Sequence, residues 1–416
     1  MTDQRASAGA PPARSWNAAE RGRLTEEVYS GVDARLSEVD ERVAARYPGE
    51  PAGRQPVHTV YVPANRFSAD LVARWGEQAR AVFDAHGGHL GLDPDIADRV
   101  RRKLATEPIE DLRIDFEDGY GAPGDDVEDA DAFECARLLA DFPAAPPFCG
   151  IRFKSFERPT RRRGIRTLDV FLSGLGGAVP PGFVVTLPKV TAVEQVAAAA
   201  DVLAGLERAH GLPAGTLRFE VQVETSQSLV DTDGTVAVAR IISSAGGRCS
   251  GLHYGTYDYS AGLSIAAAYQ SMDHPAADFA KAVMQVAAAG TGVRLSDGST
   301  NRLPVGDAVL PAWREHLRLV RRSLERGFYQ GWDLHPHQLP TRFAATYAFF
   351  REGLPAAVAR LRDYAGQIDG NVLDEPATAQ ALASFLLRGL DCGALDEGEI
   401  PVPLSDLHRY ARRAAA

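Results

Sequence analysis

The run Leu217-Arg218-Phe219-Glu220-Val221-Gln222-Val223-Glu224, continuing into Thr225-Ser226-Gln227, decides the fold. Apolar and polar residues alternate with a period of two, so the run reads as a strand that delivers a carboxylate, Glu224, to its own C-terminal tip. A helical stretch from Thr235 to Ser244 then leads through Gly246-Gly247 into a second short strand, Ser250-Gly251-Leu252-His253-Tyr254, followed by Gly255-Thr256-Tyr257-Asp258-Tyr259. Asp258 therefore lies just past the next strand. In a parallel sheet, strand tips separated by one crossover helix share a face, so Glu224 and Asp258 can converge on one hard divalent cation.

Working outward, the first clear strand is His58-Thr59-Val60-Tyr61-Val62, which stops at Pro63-Ala64-Asn65-Arg66 and so leaves Arg66 at a strand tip. Further strands are expected at Asp111 to Phe116, Phe148 to Phe153, Gly182 to Pro188, Leu217 to Glu224 and Ser250 to Tyr254, with weaker ones near Gly292 to Leu295 and Gly331 to His335. Eight strand–helix units over roughly 280 residues match the size of a (β/α)8 TIM barrel; a doubly wound open sheet is the competing arrangement. Residues 1 to 16, rich in Ala, Pro, Ser and Arg, read as a disordered tail, and Asn17 to Tyr47 as an amphipathic helical extension ahead of a Pro/Gly/Arg linker. After Pro340 the chain turns helical again, over Arg342 to Gly366 and Ala377 to Leu387, which exceeds what a barrel needs and is expected to form a cap or lid. The expected domains are thus 1–56, a catalytic barrel over 57–340 and a helical cap over 341–416.

Composition sets the class. A chain of 416 residues with 45% hydrophobic content can bury a large core, and a formal charge of −10 argues against general binding to nucleic acid or membrane surfaces. Cys135, Cys149, Cys249 and Cys392 lack CxxC spacing, which suits a reducing compartment and offers neither a zinc site nor a disulfide framework. Met1 to Trp16 has no apolar core of a signal peptide, and no apolar run of about 18 residues occurs, so a cytoplasmic location is the expectation.

Other strand tips also carry charge. Asp115-Phe116-Glu117-Asp118-Gly119 places three carboxylates within four residues, either as a solvated acidic turn or as a group holding metal-bound water. Arg152 and Lys154 alternate with Ile151 and Phe153, so both are expected at the barrel mouth, where an arginine can clamp a substrate carboxylate or pair with the Asp118 region. Lys189, in Leu187-Pro188-Lys189-Val190, can neutralise an enolate or balance the acidic cluster. The run Arg158 to Arg166 is the one basic cluster and reads as a loop, either for the phosphates of a nucleotide-bearing substrate or as a solvated or subunit-contact segment. His335 and His337 have strand spacing and read as structural.

Six segments occur in the order found in the HpcH/HpaI aldolase and citrate lyase β-subunit-like family: Asp115-Phe116-Glu117-Asp118, Gly150-Ile151-Arg152-Phe153, Leu187-Pro188-Lys189-Val190, Val223-Glu224-Thr225, Gly255-Thr256-Tyr257-Asp258 and Gly327 to Pro336. The chain resembles that family over about residues 57 to 340. The resemblance implies a TIM barrel with Mg2+, replaceable by Mn2+, held by Glu224 and Asp258. It implies oxo-acid binding by Arg152 with Arg66, Gly255 and Thr256, and places Asp115, Glu117 and Asp118 near the metal and its waters. The chain is also similar to malate synthase, through Gly251 to Tyr259 and through Val372-Leu373-Asp374-Glu375-Pro376-Ala377-Thr378-Ala379. There Glu375 takes the position of the catalytic base, with Asp374 beside it; an N-cap and first helical turn is the structural alternative. The activity so implied is Mg2+-dependent carbon–carbon cleavage, or the reverse condensation, on a 2-oxo acid and an enolate partner, by a homo-oligomer. The partner is a CoA thioester or, alternatively, a CoA-free hydroxy-oxo acid is cleaved; the competing class is a non-catalytic barrel that binds a metabolite.

Overall fold

The period-two runs become eight parallel strands: β1 (His58–Pro63), β2 (Asp111–Asp115), β3 (Phe148–Arg152), β4 (Phe183–Leu187), β5 (Arg218–Val223), β6 (Cys249–Tyr254), β7 (Arg294–Ser296) and β8 (Gly331–Asp333). These are the strands of a computed structural model that describes residues 24–51, 53–142, 145–365 and 375–412. The strands pair in the order β7-β6-β5-β4-β3-β2-β1-β8. A parallel bridge from Ser296 to Gln330, with Asp297 N donating to Gln330 O at 2.8 Å, brings β7 beside β8 and closes the barrel. An open sheet would leave those edges unpaired.

Helices fill the crossovers and continue past the last strand. In chain order they are α1 (Glu26–Arg46), α2 (Leu71–His86), α3 (Pro94–Thr106), α4 (Asp125–Ala140), α5 (Arg161–Gly174), α6 (Val193–Ala209), α7 (Ala237–Ser244), α8 (Thr256–Gly262), α9 (Pro275–Ala288), α10 (Val309–Glu325), α11 (Leu339–Ala365), α12 (Pro376–Asp391) and α13 (Leu404–Ala411). The chain divides into two compact units, Met1–Tyr47 and Pro48–Ala416. In the first, α1 is a helix of 21 residues; the rest of the expected extension, residues 17–23, lies outside the described residues. No helix among the described residues is long and apolar enough to cross a membrane.

Side chains on the outward faces of the strands, among them Val60, Ile114, Ile151, Val185, Val221 and Leu252, are 0–1% exposed and pack beneath the helices. The inward faces are polar. Register sets Asp115 beside Arg152, Arg152 beside Thr186, and Thr186 beside Glu220. Buried charge is tolerated only when paired, and the barrel's middle obeys this. Arg113 bonds Asp111 and, at 2.9 Å, Glu220, which also accepts from Thr186 at 2.6 Å and meets His253 at 3.0 Å.

The C-terminal helices, expected as a cap or lid, run along the barrel towards the strand starts. α11 leaves the C-terminal tip of β8 and, at 27 residues and ~1.5 Å per residue, is about 40 Å long. By Phe343 it already packs on His58 at the start of β1, with ring centroids 5.3 Å apart, so its later turns project beyond the strand starts. α12 returns antiparallel along it: Phe350 meets Phe385 at 5.0 Å and Tyr347 bonds the Cys392 carbonyl at 3.1 Å. The helical tail therefore packs against the N-terminal end of the barrel rather than over its mouth. α13, which the sequence pattern did not single out, is joined to the last turn of α11 by the Tyr364–Tyr410 edge contact at 5.7 Å.

Candidate metal and oxo-acid site

The C-terminal tips of β2, β3, β4, β5 and β6 bring the charged residues together. Asp115, at the end of β2, accepts from the amides of Glu117 (2.9 Å) and Gly119 (3.0 Å) and so folds the acidic turn back on itself. The turn requires glycine, because a Cβ on Gly119 would stand 2.8 Å from Asp115 Oδ2. Asp115 also grips Arg152 through two bonds of 2.7 Å, from Nε and Nη2. The Tyr61 ring lies under the same guanidinium at 4.9 Å. An arginine carries five N–H donors in a fixed fork, so the Nη1 end remains available, with Glu117 at 3.5 Å as its neighbour.

Lys189 forms the centre. It follows β4 with φ of +50°, in the left-handed region that costs a non-glycine residue about 1 kcal/mol or more. That turn aims its amide at Glu224 Oε1, 2.7 Å away. Its ammonium lies 3.0 Å from Glu117, 2.9 Å from Asp118 and 3.3 Å from Asp258. Burial pulls the lysine's pKa down, but Glu224, Glu117 and Asp118 outweigh it and hold the pKa above the ordinary lysine range. Glu224 is 3% exposed, and burial, reinforced by the charge of Asp258 against the pull of Lys189, pushes its pKa up to about 8. Gly255 makes this approach feasible, since a Cβ there would come within 2.4 Å of Glu224 Cβ.

These groups suit a hard cation. Every donor is a carboxylate oxygen, which Mg2+ prefers. Glu224 is a buried carboxylate with too little positive charge beside it, and one ammonium is shared among the rest. Among the described residues no three acidic, histidine or cysteine side chains stand ready-made around a single point for a metal; Lys189 gathers the carboxylates instead.

The remaining expectations fall unevenly. Arg66 sits at the tip of β1, exposed and without an acid partner among the described residues. Thr256 opens α8 with its hydroxyl buried and unpartnered. Lys154 does not reach the mouth: β3 ends at Arg152, and Lys154 turns out to Glu128 Oε2 at 2.6 Å and the Phe116 carbonyl at 2.8 Å. Arg152 pairs with the acidic turn around Asp118, through Asp115 and Glu117. The basic run is helical from Arg161, not a loop, and α4 neutralises part of it, Asp129 accepting from Arg163 and Arg166 at 2.5 Å each. His335 accepts from the His337 amide at 3.1 Å, and burial together with His337 lowers its pKa to about 4.

Glu375 is the exposed N-cap of α12, at the end of α11 farthest from β8, and Asp374 lies outside the described residues. Sequence reasoning passed over Tyr61, whose inward place on β1 follows from the alternation of that strand but whose partner, Arg152, is two strands away.

Comparison with known proteins adds a family and a fold. A family model described as a domain of unknown function (DUF6986) matches residues 36–414. No curated protein matches the sequence. Among solved structures, a citrate lyase from Burkholderia xenovorans LB400 is 18% identical, with 85% of this chain and 97% of that one covered at a TM-score of 0.58. Malate synthase from Haloferax volcanii is 15% identical, with 88% of this chain and 97% of that one covered at a TM-score of 0.50. The magnesium/glyoxylate complex of the same synthase is 16% identical, with 87% and 99% covered at a TM-score of 0.50. At such identities the likeness is one of fold.

Proposed function

The chain belongs to the DUF6986 family, and from the charges at the mouth of its barrel we propose that it is a magnesium-dependent carbon–carbon lyase, or the condensing enzyme of the reverse reaction, acting on a 2-oxo acid and an enolate partner. One observation carries this reading. Glu117, Asp118 and Asp258 meet on the ammonium of Lys189, whose amide holds Glu224, and the part-free guanidinium of Arg152 stands beside them. A barrel fold like that of citrate lyase and of a malate synthase seen with magnesium and glyoxylate supports it. Fold alone would not, because one barrel hosts many chemistries.

Glu224 and Asp258 would hold the metal, with Glu117 and Asp118 orienting its waters. When bound, Mg2+ supplies a Lewis acid for the oxo-acid carbonyl and positive charge for developing oxyanions. Arg152, fixed by Asp115 and Tyr61, offers its Nη1 edge to the substrate carboxylate, so that orientation is set before chemistry. Lys189, once released from the carboxylates, can donate to the oxygen on which the enolate charge grows. Arg66 would close the rim above β1, and Gly255 and Thr256 would line the metal side. In its own chain Glu375 begins α12 beyond the opposite end of the barrel, so service as the proton-moving group requires the tail of a neighbouring copy, in keeping with a homo-oligomer.

The enolate partner is expected to be a CoA thioester. Arg158, Arg161 and Arg162, exposed and without acid partners among the described residues, remain free for its phosphates after Arg163 and Arg166 are spent. The test is product analysis with Mg2+, glyoxylate, pyruvate or oxaloacetate, and acetyl- or propionyl-CoA. A new carbon–carbon bond in a hydroxyacyl-CoA product, or in its free acid plus CoA thiol where water then cleaves the thioester, formed only when the oxo acid is present and lost in Glu224→Gln, is the expected result. Thioester hydrolysis without a condensed product, or Mg2+-independent turnover, would overturn the proposal.

A further inference from the structure

The barrel has a second polar opening, at the strand starts. A cavity of about 460 Å3 lies there, lined among others by Asp111, Arg218, Ser250, His253, Arg294 and Gln330. Arg218 and Arg294 are the first residues of β5 and β7, whereas Glu224 lies past the far end of β5. The two sites are at opposite ends of one barrel, and a volume of this size accommodates a small metabolite.

The acids in this basin are already spent. Asp111 and Glu220 are bonded by Arg113, and Glu220 also meets His253 Nε2 at 3.0 Å. The cations are not. The Arg294 side chain donates to the Gly53 carbonyl at 2.9 Å and has no carboxylate partner among the described residues. Arg218 is exposed, with neither a hydrogen bond nor an ion pair from its side chain among those residues. Burial, and then Arg388 and Arg218, push the Arg294 pKa below the ordinary arginine range, outweighing the pull of Asp391, which makes no ion pair with it, and of Glu50. Glu50, which pulls the other way, is itself paired with Arg388 at 2.7 Å. Deeper in the cavity wall, His253 is 2% exposed and its Nδ1 is buried without a partner. Two guanidinium groups lacking acids, above an unsatisfied buried imidazole nitrogen, form a surface short of an anion.

We propose that this N-terminal basin binds a small phosphate-bearing ligand, with Arg218 and Arg294 taking the phosphate oxygens and His253 Nδ1 meeting a polar group of the ligand body. Two unpartnered guanidinium forks suit a compact dianion, while a carboxylate of single charge would leave one of them idle. The site is independent of the chemistry at the mouth, because none of its residues touches the Lys189 cluster.

The experiment is isothermal titration of inorganic phosphate into the full chain without divalent cations, with succinate as a dianion of a different shape. Saturable phosphate binding is expected, tighter than that of succinate. Arg294→Ala and Arg218→Ala should each weaken it about tenfold or more, and Arg152→Ala at the mouth should leave it unchanged. Arg218 is exposed and unpaired, so that variant keeps the test alive if Arg294→Ala fails to fold. Absence of saturable binding, equal affinity for succinate, unaltered affinity in both basin variants, or loss only in Arg152→Ala would overturn the proposal.

Discussion

At the C-terminal mouth Glu117, Asp118 and Asp258 share the ammonium of Lys189, whereas at the N-terminal basin Arg218 and Arg294 form no ion pair among the described residues. Between them Arg113 is paired with Asp111 and Glu220, and Glu220 also with His253 Nε2. Among the described residues, carboxylates outnumber the ammonium in the Lys189 cluster at the mouth, and the basin holds two guanidinium groups without an ion-paired acid. A barrel built for stability alone would pair those groups as its middle does. On the proposed readings, charge left over at a strand end is where a ligand of the other sign would bind, a cation at the mouth and an oxyanion at the base.

The largest effect should come from the middle, where each buried carboxylate is paired with Arg113. Glu220→Leu leaves Arg113 with Asp111 as its one carboxylate and removes the acceptor of Thr186 and His253, and should cost about 3–5 kcal/mol in urea unfolding; a loss below about 1 kcal/mol would show that the pairing is not what holds the interior. Next, Glu224→Gln and Asp258→Asn should each reduce turnover roughly 100-fold or more, about 2.7 kcal/mol of barrier, with far-UV dichroism unchanged. Turnover equal to wild type would break the comparison at the mouth.

Lys189→Ala, measured without metal, should lower stability by about 1–2 kcal/mol, since the side chain is partly solvated and the carboxylates lose their shared cation. Saturating Mg2+ should restore most of that loss. Lys189→Gly should fall about 1 kcal/mol less, because glycine accepts the φ of +50° without strain. The smallest effect concerns His335 at the rim. Its imidazole titrates near 4 in the folded chain because of burial and His337, against an ordinary value of about 6.5. Below that value the unfolded chain takes up the proton first, so stability is full above about pH 6.5 and declines as pH falls towards 4. His335→Asn, which keeps an acceptor for the His337 amide, should flatten that decline, an effect on the order of 1 kcal/mol after solvent screening.

Much of the fold was legible because β1 to β6 alternate over five or six residues, enough to fix their ends within about two positions. β7 and β8 have three residues each, and β7 begins at Arg294 rather than Gly292. The carriers of charge at the strand tips were legible for the same reason, as local positions at the ends of alternating runs. Their partners were not. Asp115 meets Arg152 through the register of β2 on β3, and Lys154 turns away because β3 stops two residues before it. The basic run lost its loop reading when α5 placed Arg163 and Arg166 against Asp129 of α4. The basin was invisible: Arg218 and Arg294 open different strands, and the pairing of both strands with β6 sets them around one cavity. The direction of α12, likewise, depends on its packing along α11 rather than on any pattern within it.

The mouth is proposed to hold a cation on Glu224 and Asp258. This is tested most directly by thermal unfolding of the wild type, Glu224→Gln and Asp258→Asn across a MgCl2 titration, with and without glyoxylate. The account predicts a saturable rise in Tm for the wild type, a further rise with glyoxylate only when Mg2+ is present, and neither in the variants. Equal stabilisation of all three proteins by Mg2+, or none of the wild type, would contradict it.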